Sequence, residues 1–183
     1  DLLALAPLYK PALFNSSVIN FRETNYEQVI SLTETLLQED PSDTDTLRLR
    51  ADSLYELEKK EESFEYYKKV HDGQTEYDRE VVLRLAWISI LNKDFREAVD
   101  FLTETGEQKL DSEGKFLKAT VLLYAFEETD EGLVLLRDSI SSGSVRREFV
   151  EYLAEKAKAD LFPEAEQVAA LLEESGLLVD ENG

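Results

Sequence analysis

The sequence predicts an all-α solenoid built from about five antiparallel helix pairs. Five similar phrases, "TNYEQVIS", "KKEESFEY", "NKDFREAV", "ETDEGLVL" and "LFPEAEQV", align on Val29, Ser63, Ala98, Gly132 and Ala165 at intervals of 34, 35, 34 and 33 residues. A fixed period in that range is the mark of a repeat architecture. Upstream of each phrase lies a second helical stretch, so each unit reads as helix A, short turn, helix B. Only seven Gly and four Pro occur in 183 residues, too few turn formers for many short strands.

Taken in order, the opening "DLLALAPLYK" (residues 1–10) is expected to be a partial helix or cap, because its apolar residues need cover. It has no initiating Met and no basic leader, which suggests a mature chain or an excised segment. The helix-A stretches are "ALFNSSVINF", "TLRLRADSLYEL", "VVLRLAWISIL", "GKFLKATVLLYAF" and "REFVEYLAEKAKA". The pairs are placed near 11–39, 44–71, 78–105, 112–141 and 145–175, with a frayed tail over 176–183. Asp43, Thr44, Asp78 and Ser112 are the candidate N-caps, and Asp40-Pro41 closes the first pair. Three residues before each anchor stand Tyr26, Lys60, Phe95, Thr129 and Phe162, mostly bulky and placed at the start of helix B. Glu65 and Lys69, four apart, are expected to pair on one helix face.

These phrases resemble the tetratricopeptide repeat, over about residues 11–175. The resemblance is strongest in "NYEQVISLTETLLQEDP" and "NKDFREAV". It implies a right-handed superhelix whose helices A line the concave surface. It also implies a small residue on helix A where helices pack closely, here Ser17, Ala51, Ala86 and Thr120, with a failure at Leu153. The repeats are degenerate, since the helix-A aromatic and Gly are mostly absent and only Pro41 matches the closing proline.

Composition narrows the chemistry. The formal charge of −20 opposes nucleic acid and anionic membrane surfaces; it reads first as a solvated, aggregation-resistant surface, and alternatively as a field that steers a partner with basic flanks. No run of apolar residues is long enough for direct membrane insertion. With no Cys and a single His71, neither a thiolate site nor a nucleophile triad is available, and no phosphate-binding glycine loop occurs. The acidic "DPSDTDTLRLR" lacks the Gly and the closing Glu of a calcium loop. No cofactor, metal or catalytic residue is therefore expected, and the chain reads as a non-enzymatic interaction scaffold.

The resemblance places the concave positions 15, 11 and 8 residues before each anchor. On the first three helices A they are Phe14, Val18 and Phe21; Arg48, Asp52 and Tyr55; Leu83, Trp87 and Ile90. On the last two they are Leu117, Val121 and Tyr124; Val150, Ala154 and Ala157. Spacing of i, i+4, i+7 puts each triplet on one helix face. The candidate partner-binding stripe is Phe14, Val18, Phe21, Arg48, Tyr55, Leu83, Trp87, Ile90, Leu117, Val121 and Tyr124. An apolar patch of this kind suits a partner peptide or amphipathic helix, the chain's own core, or a small hydrophobic ligand. The reading adopted is the partner. The alternative is an assembly subunit whose stripe is covered by self-association, as a homo-oligomer, or by the rest of a larger protein. The family's clamp for acidic C-termini is not expected, because only Arg48 among the matching positions is cationic.

Overall fold

The computed structural model describes residues 6–74, 76–104 and 110–178 of the chain. The expectations placed on residues 1–5, at position 105 and over 179–183 lie outside the described residues. Ten helices and no strand occur among the described residues. They are α1 (Ala6–Arg22), α2 (Tyr26–Glu39), α3 (Thr44–Glu56), α4 (Lys60–Gly73) and α5 (Arg79–Leu91). They continue with α6 (Phe95–Thr103), α7 (Ser112–Tyr124), α8 (Thr129–Ser142), α9 (Arg147–Lys158) and α10 (Ala165–Glu174). The chain divides into two compact units, residues 1–85 and 86–183, with the division inside α5. In the first unit α1 packs on α2 and α3, α2 on α3, and α3 on α4. In the second, α6 packs on α7, α7 on α8 and α9, and α9 on α10.

The turn inside each pair is the repeated element. Thr24, Glu58, Lys93, Glu127 and Asp160 all adopt positive φ, between 52° and 66°, and each stands five residues before an anchor. In four of the five, two backbone bonds close the end of helix A. At the first turn Thr24 N–H donates to Phe21 O (3.0 Å) and Asn25 N–H to Asn20 O (2.9 Å). Glu58 and Lys59, Lys93 and Asp94, and Asp160 and Leu161 repeat the pattern. This left-handed closure satisfies carbonyls that a helix end otherwise leaves bare. The fourth turn holds one more residue, and Glu128 N–H reaches back to Leu122 O at 2.8 Å. None of the five left-handed residues is Gly, the residue that adopts this conformation without steric cost.

The anchors are where helix B meets helix A, and all five are buried. Ser63 Oγ donates to Ala51 O at 2.9 Å, so the small positions of α3 and α4 face each other directly. At Gly132 a Cβ would lie 2.6 Å from Leu123 Cγ, so α8 approaches α7 too closely for a side chain. Ser17, Ala51, Ala86 and Thr120 are buried as well, and so is Leu153 despite its size.

Several local expectations shift by a residue or more. Asp43 caps α3, with its carboxylate accepting from Thr46 N–H at 3.2 Å, and Thr44 is simply the first helical residue. Asp78 accepts from Val81 N–H at 3.2 Å at the start of α5. Ser112 is not a cap. The cap of α7 is Asp111, whose shorter reach to Gly114 N–H (3.0 Å) frees the Ser112 hydroxyl to donate to Ser144 O. Tyr26, Lys60, Phe95 and Thr129 each begin a helix B, but Phe162 does not, because α10 starts only at Ala165. Lys69 lies over the Tyr66 ring, 4.7 Å from its centroid, and is not paired with Glu65; the flat ring on the adjacent turn offers apolar cover as well as attraction.

Candidate partner-binding surface

In residues 1–85 the candidate stripe runs over α1 and α3 and ends at Leu83. Phe14, Val18 and Phe21 on α1 are each half-buried, and the neighbouring Ile19 is 54% exposed. Phe21 meets Tyr26 edge to face at 5.4 Å, which ties the stripe to the first turn. On α3, Arg48 is half-buried and ion-paired with Asp78. Tyr55 is buried beneath two cations: the Arg84 guanidinium lies 4.0 Å from its ring centroid and the Lys60 ammonium 5.5 Å. Between Arg48 and Tyr55, Asp52 accepts the Tyr67 hydroxyl at 2.6 Å. Burial raises the Asp52 carboxyl above the ordinary carboxylate range, while the Tyr67 bond and the charges of Arg48 and Arg84 oppose the rise. Burial, reinforced by the Asp52 charge, likewise drives the Tyr67 phenol well above its usual value. Leu83 is buried.

In residues 86–183 the stripe turns inward. Trp87, Ile90, Leu117 and Val121 are buried, and Tyr124 is half-buried. Trp87 packs on two rings of α9, Phe149 at 4.8 Å and Tyr152 at 5.4 Å between centroids. Tyr124 meets Tyr152 and Phe162, both at 6.3 Å, and Phe95 at 5.7 Å. Six aromatic rings thus form one connected cluster, in the edge-on and tilted geometries that ring quadrupoles favour. The indole N–H of Trp87 is buried and has no hydrogen-bond partner. The Tyr152 phenol is pushed up to about 12, first by burial and then by Tyr124 and Glu155.

Of the eleven candidate residues, Phe14, Val18, Phe21, Arg48 and Tyr124 retain substantial access to solvent, and the other six are buried. Phe149 and Tyr152 lie off the expected stripe, because on α9 the repeat offsets point to Val150, Ala154 and Ala157. The misfit at Leu153 is the one sequence signal that α9 differs from the other helices A. Among the described residues, no cluster of His, Cys, Asp or Glu could hold a metal, and no helix is long and apolar enough to cross a membrane. His71 is half-buried near the end of α4.

These helix pairs, with their recurrent turn and buried small anchors, define a tetratricopeptide-like helical repeat fold. The same fold is found in solved structures. The structure of MamA 41-end from Desulfovibrio magneticus RS-1 superimposes with a TM-score of 0.70 at 13% identity, over 94% of this chain and 97% of that one. Another MamA crystal structure gives 0.68 at 14% identity, over 91% and 87%. YrrB, described as a TPR protein with an unusual peptide-binding site, gives 0.68 at 13% identity, over 92% and 86%. No protein-family model matches the sequence, and no curated protein matches it.

Proposed function

We propose that the chain is a non-catalytic scaffold that binds a protein partner, as an apolar peptide or amphipathic helix, on the α1–α3 face. The observation that carries this reading is the half-buried triplet Phe14, Val18 and Phe21 on one face of α1, with Ile19 beside it. Its i, i+4, i+7 spacing matches the face of an incoming helix, and aromatic residues at its ends are of the type that dominates binding energy. The similarity to YrrB, described as peptide-binding, supports a peptide-sized occupant. The charge of −20 favours basic flanks on the partner, by steering and by exclusion of acidic competitors.

The test is capture from the source cell with the full chain and with Val18→Glu. The variant places a charge on the stripe at a half-buried position, so helicity and melting temperature stay close to those of the parent while the captured protein is lost. Retained capture by Val18→Glu sinks the reading. If sedimentation shows a dimer that the same variant abolishes, the occupant of the stripe is a second copy, and the assembly-subunit reading takes its place.

A further inference from the structure

Trp87 stands on α5, yet its ring meets α9, with the α7–α8 pair lying between the two in the chain. The geometry points to α9 as the resident occupant of a helix-binding slot in residues 86–183, bounded by Trp87 and Tyr124, which the amphipathic helix of a partner enters by displacing it. The invading helix carries two aromatic residues three positions apart, as Phe149 and Tyr152 do, and a hydrogen-bond acceptor beside them.

Three observations support displacement. The Trp87 indole N–H is buried without an acceptor, so α9 covers the ring but leaves its one polar atom unsatisfied. A helix bringing a Gln or Glu to that donor gains a bond that the resident never makes. Second, α9 is tethered unequally. At its N-terminal end Glu113 accepts from Arg146 N–H at 2.9 Å and pairs with the guanidinium at 3.1 Å, a pivot held by α7. At the other end it runs into the connector 159–164, where Glu164 (φ 62°) is left-handed in addition to the Asp160 closure that all five turns share. That strain weakens the docked state on the side away from the pivot. Third, the last two turns of α9 meet the core through the half-buried Tyr152 and through Leu153, Ala154 and Ala157, so beyond Tyr152 and Leu153 the cover is two alanine methyl groups.

Undocking is a property of the chain itself, so its test needs no partner. The use of the slot rests on the scaffold reading, but the Val18→Glu experiment probes that reading elsewhere. The probe is a fluorescein-labelled peptide of residues 145–160, mixed with the full chain and read by anisotropy. Trp87, the single tryptophan, gives a second signal from inside the slot. Tyr152→Ala in the chain removes one ring of the resident helix and raises peptide affinity about tenfold over the unaltered chain. Tyr152→Phe keeps the ring and leaves affinity at the parental level. A peptide carrying Phe149→Ala and Tyr152→Ala is not captured. Should Tyr152→Ala lose far-UV helicity, Arg146→Gln loosens the pivot outside the slot, and the same rise is expected. The inference is overturned if no folded variant gains affinity for the peptide, or if the ringless peptide binds as well as the intact one.

Discussion

The hydroxyl of Tyr67 on α4 donates a 2.6 Å hydrogen bond to the carboxylate of Asp52 on α3, 15 residues earlier in the chain. Asp52 shares one face of α3 with the candidate residues Arg48 and Tyr55, and Tyr67 is buried at 1% exposure. The bond therefore couples the potential binding face to the core of the first unit. Tyr67→Phe keeps the ring and removes the donor, leaving a partly buried carboxylate short of one partner. Such a loss costs about 1–3 kcal/mol, and urea unfolding of the variant measures it.

Asp52 also sets a pH dependence whose sign is opposite to that of an ordinary ion-paired carboxylate. Burial raises its folded pKa, so the folded chain holds the proton more tightly than the unfolded chain does. The stability contributed by this group is complete below the unfolded value of about 3.9 and is lost as pH rises through the folded value. Asp52→Asn retains an acceptor for Tyr67 and cannot ionise. It is expected to flatten the fall in stability across that interval and to cost little or nothing at neutral pH. Melting curves of the two proteins from acid to neutral pH would refute this if their difference stayed constant.

The left-handed turns predict stabilisation by glycine. Thr24 is β-branched and sits at φ 60°, and Glu58 sits at φ 58°. A left-handed non-glycine residue costs roughly 1–2 kcal/mol, of which the flexibility of Gly returns about 0.5–1 kcal/mol. Thr24→Gly and Glu58→Gly should each raise the melting temperature, by about 1–4 °C per substitution. Thr24→Gly is expected to gain more, because its side chain is branched next to the backbone.

Gly132 predicts the reverse. A methyl group there meets Leu123 Cγ at 2.6 Å and its own neighbour Cδ2 at 2.9 Å, in a fully packed helix pair. Gly132→Ala raises helix propensity yet should destabilise by about 1–3 kcal/mol through overpacking. Equilibrium unfolding that shows a gain instead would mean α8 can move off α7 at no cost.

Trp87 offers a graded series in the second unit. Trp87→Ala removes the ring that meets Phe149 and Tyr152 and should cost about 3–5 kcal/mol. Trp87→Phe keeps most of the packing and deletes the unpartnered indole N–H, so it should cost far less. Chemical denaturation of both variants, followed by far-UV circular dichroism, separates the two effects.

Much of the fold was legible in the sequence because repeat packing is local. Every helix B must approach its helix A through a compact residue, and this leaves Val29, Ser63, Ala98, Gly132 and Ala165 at readable intervals. The turns were legible only in position. Their left-handed conformation at Thr24, Glu58, Lys93, Glu127 and Asp160 carries no glycine signature, since tertiary packing holds what the residue types disfavour. Caps shifted by one residue, as from Ser112 to Asp111, because two adjacent polar side chains compete for the same N–H groups.

The candidate site divides along the same line. The resemblance to the tetratricopeptide repeat pointed to Phe14, Val18, Phe21, Arg48, Tyr55, Leu83, Trp87, Ile90, Leu117, Val121 and Tyr124, and helical spacing puts those of each helix A on one face. Sequence alone determined the all-α repeat class, the helix pairs and the absence of any recognisable catalytic motif. Which members of the stripe meet water was decided by contacts far apart in the chain. Trp87 is covered by Phe149 and Tyr152, some sixty residues later, whereas Val18 keeps an open side. A helical pattern records which residues share a face; only the packing of one helix pair against the next determines whether that face is filled from within or left for a partner.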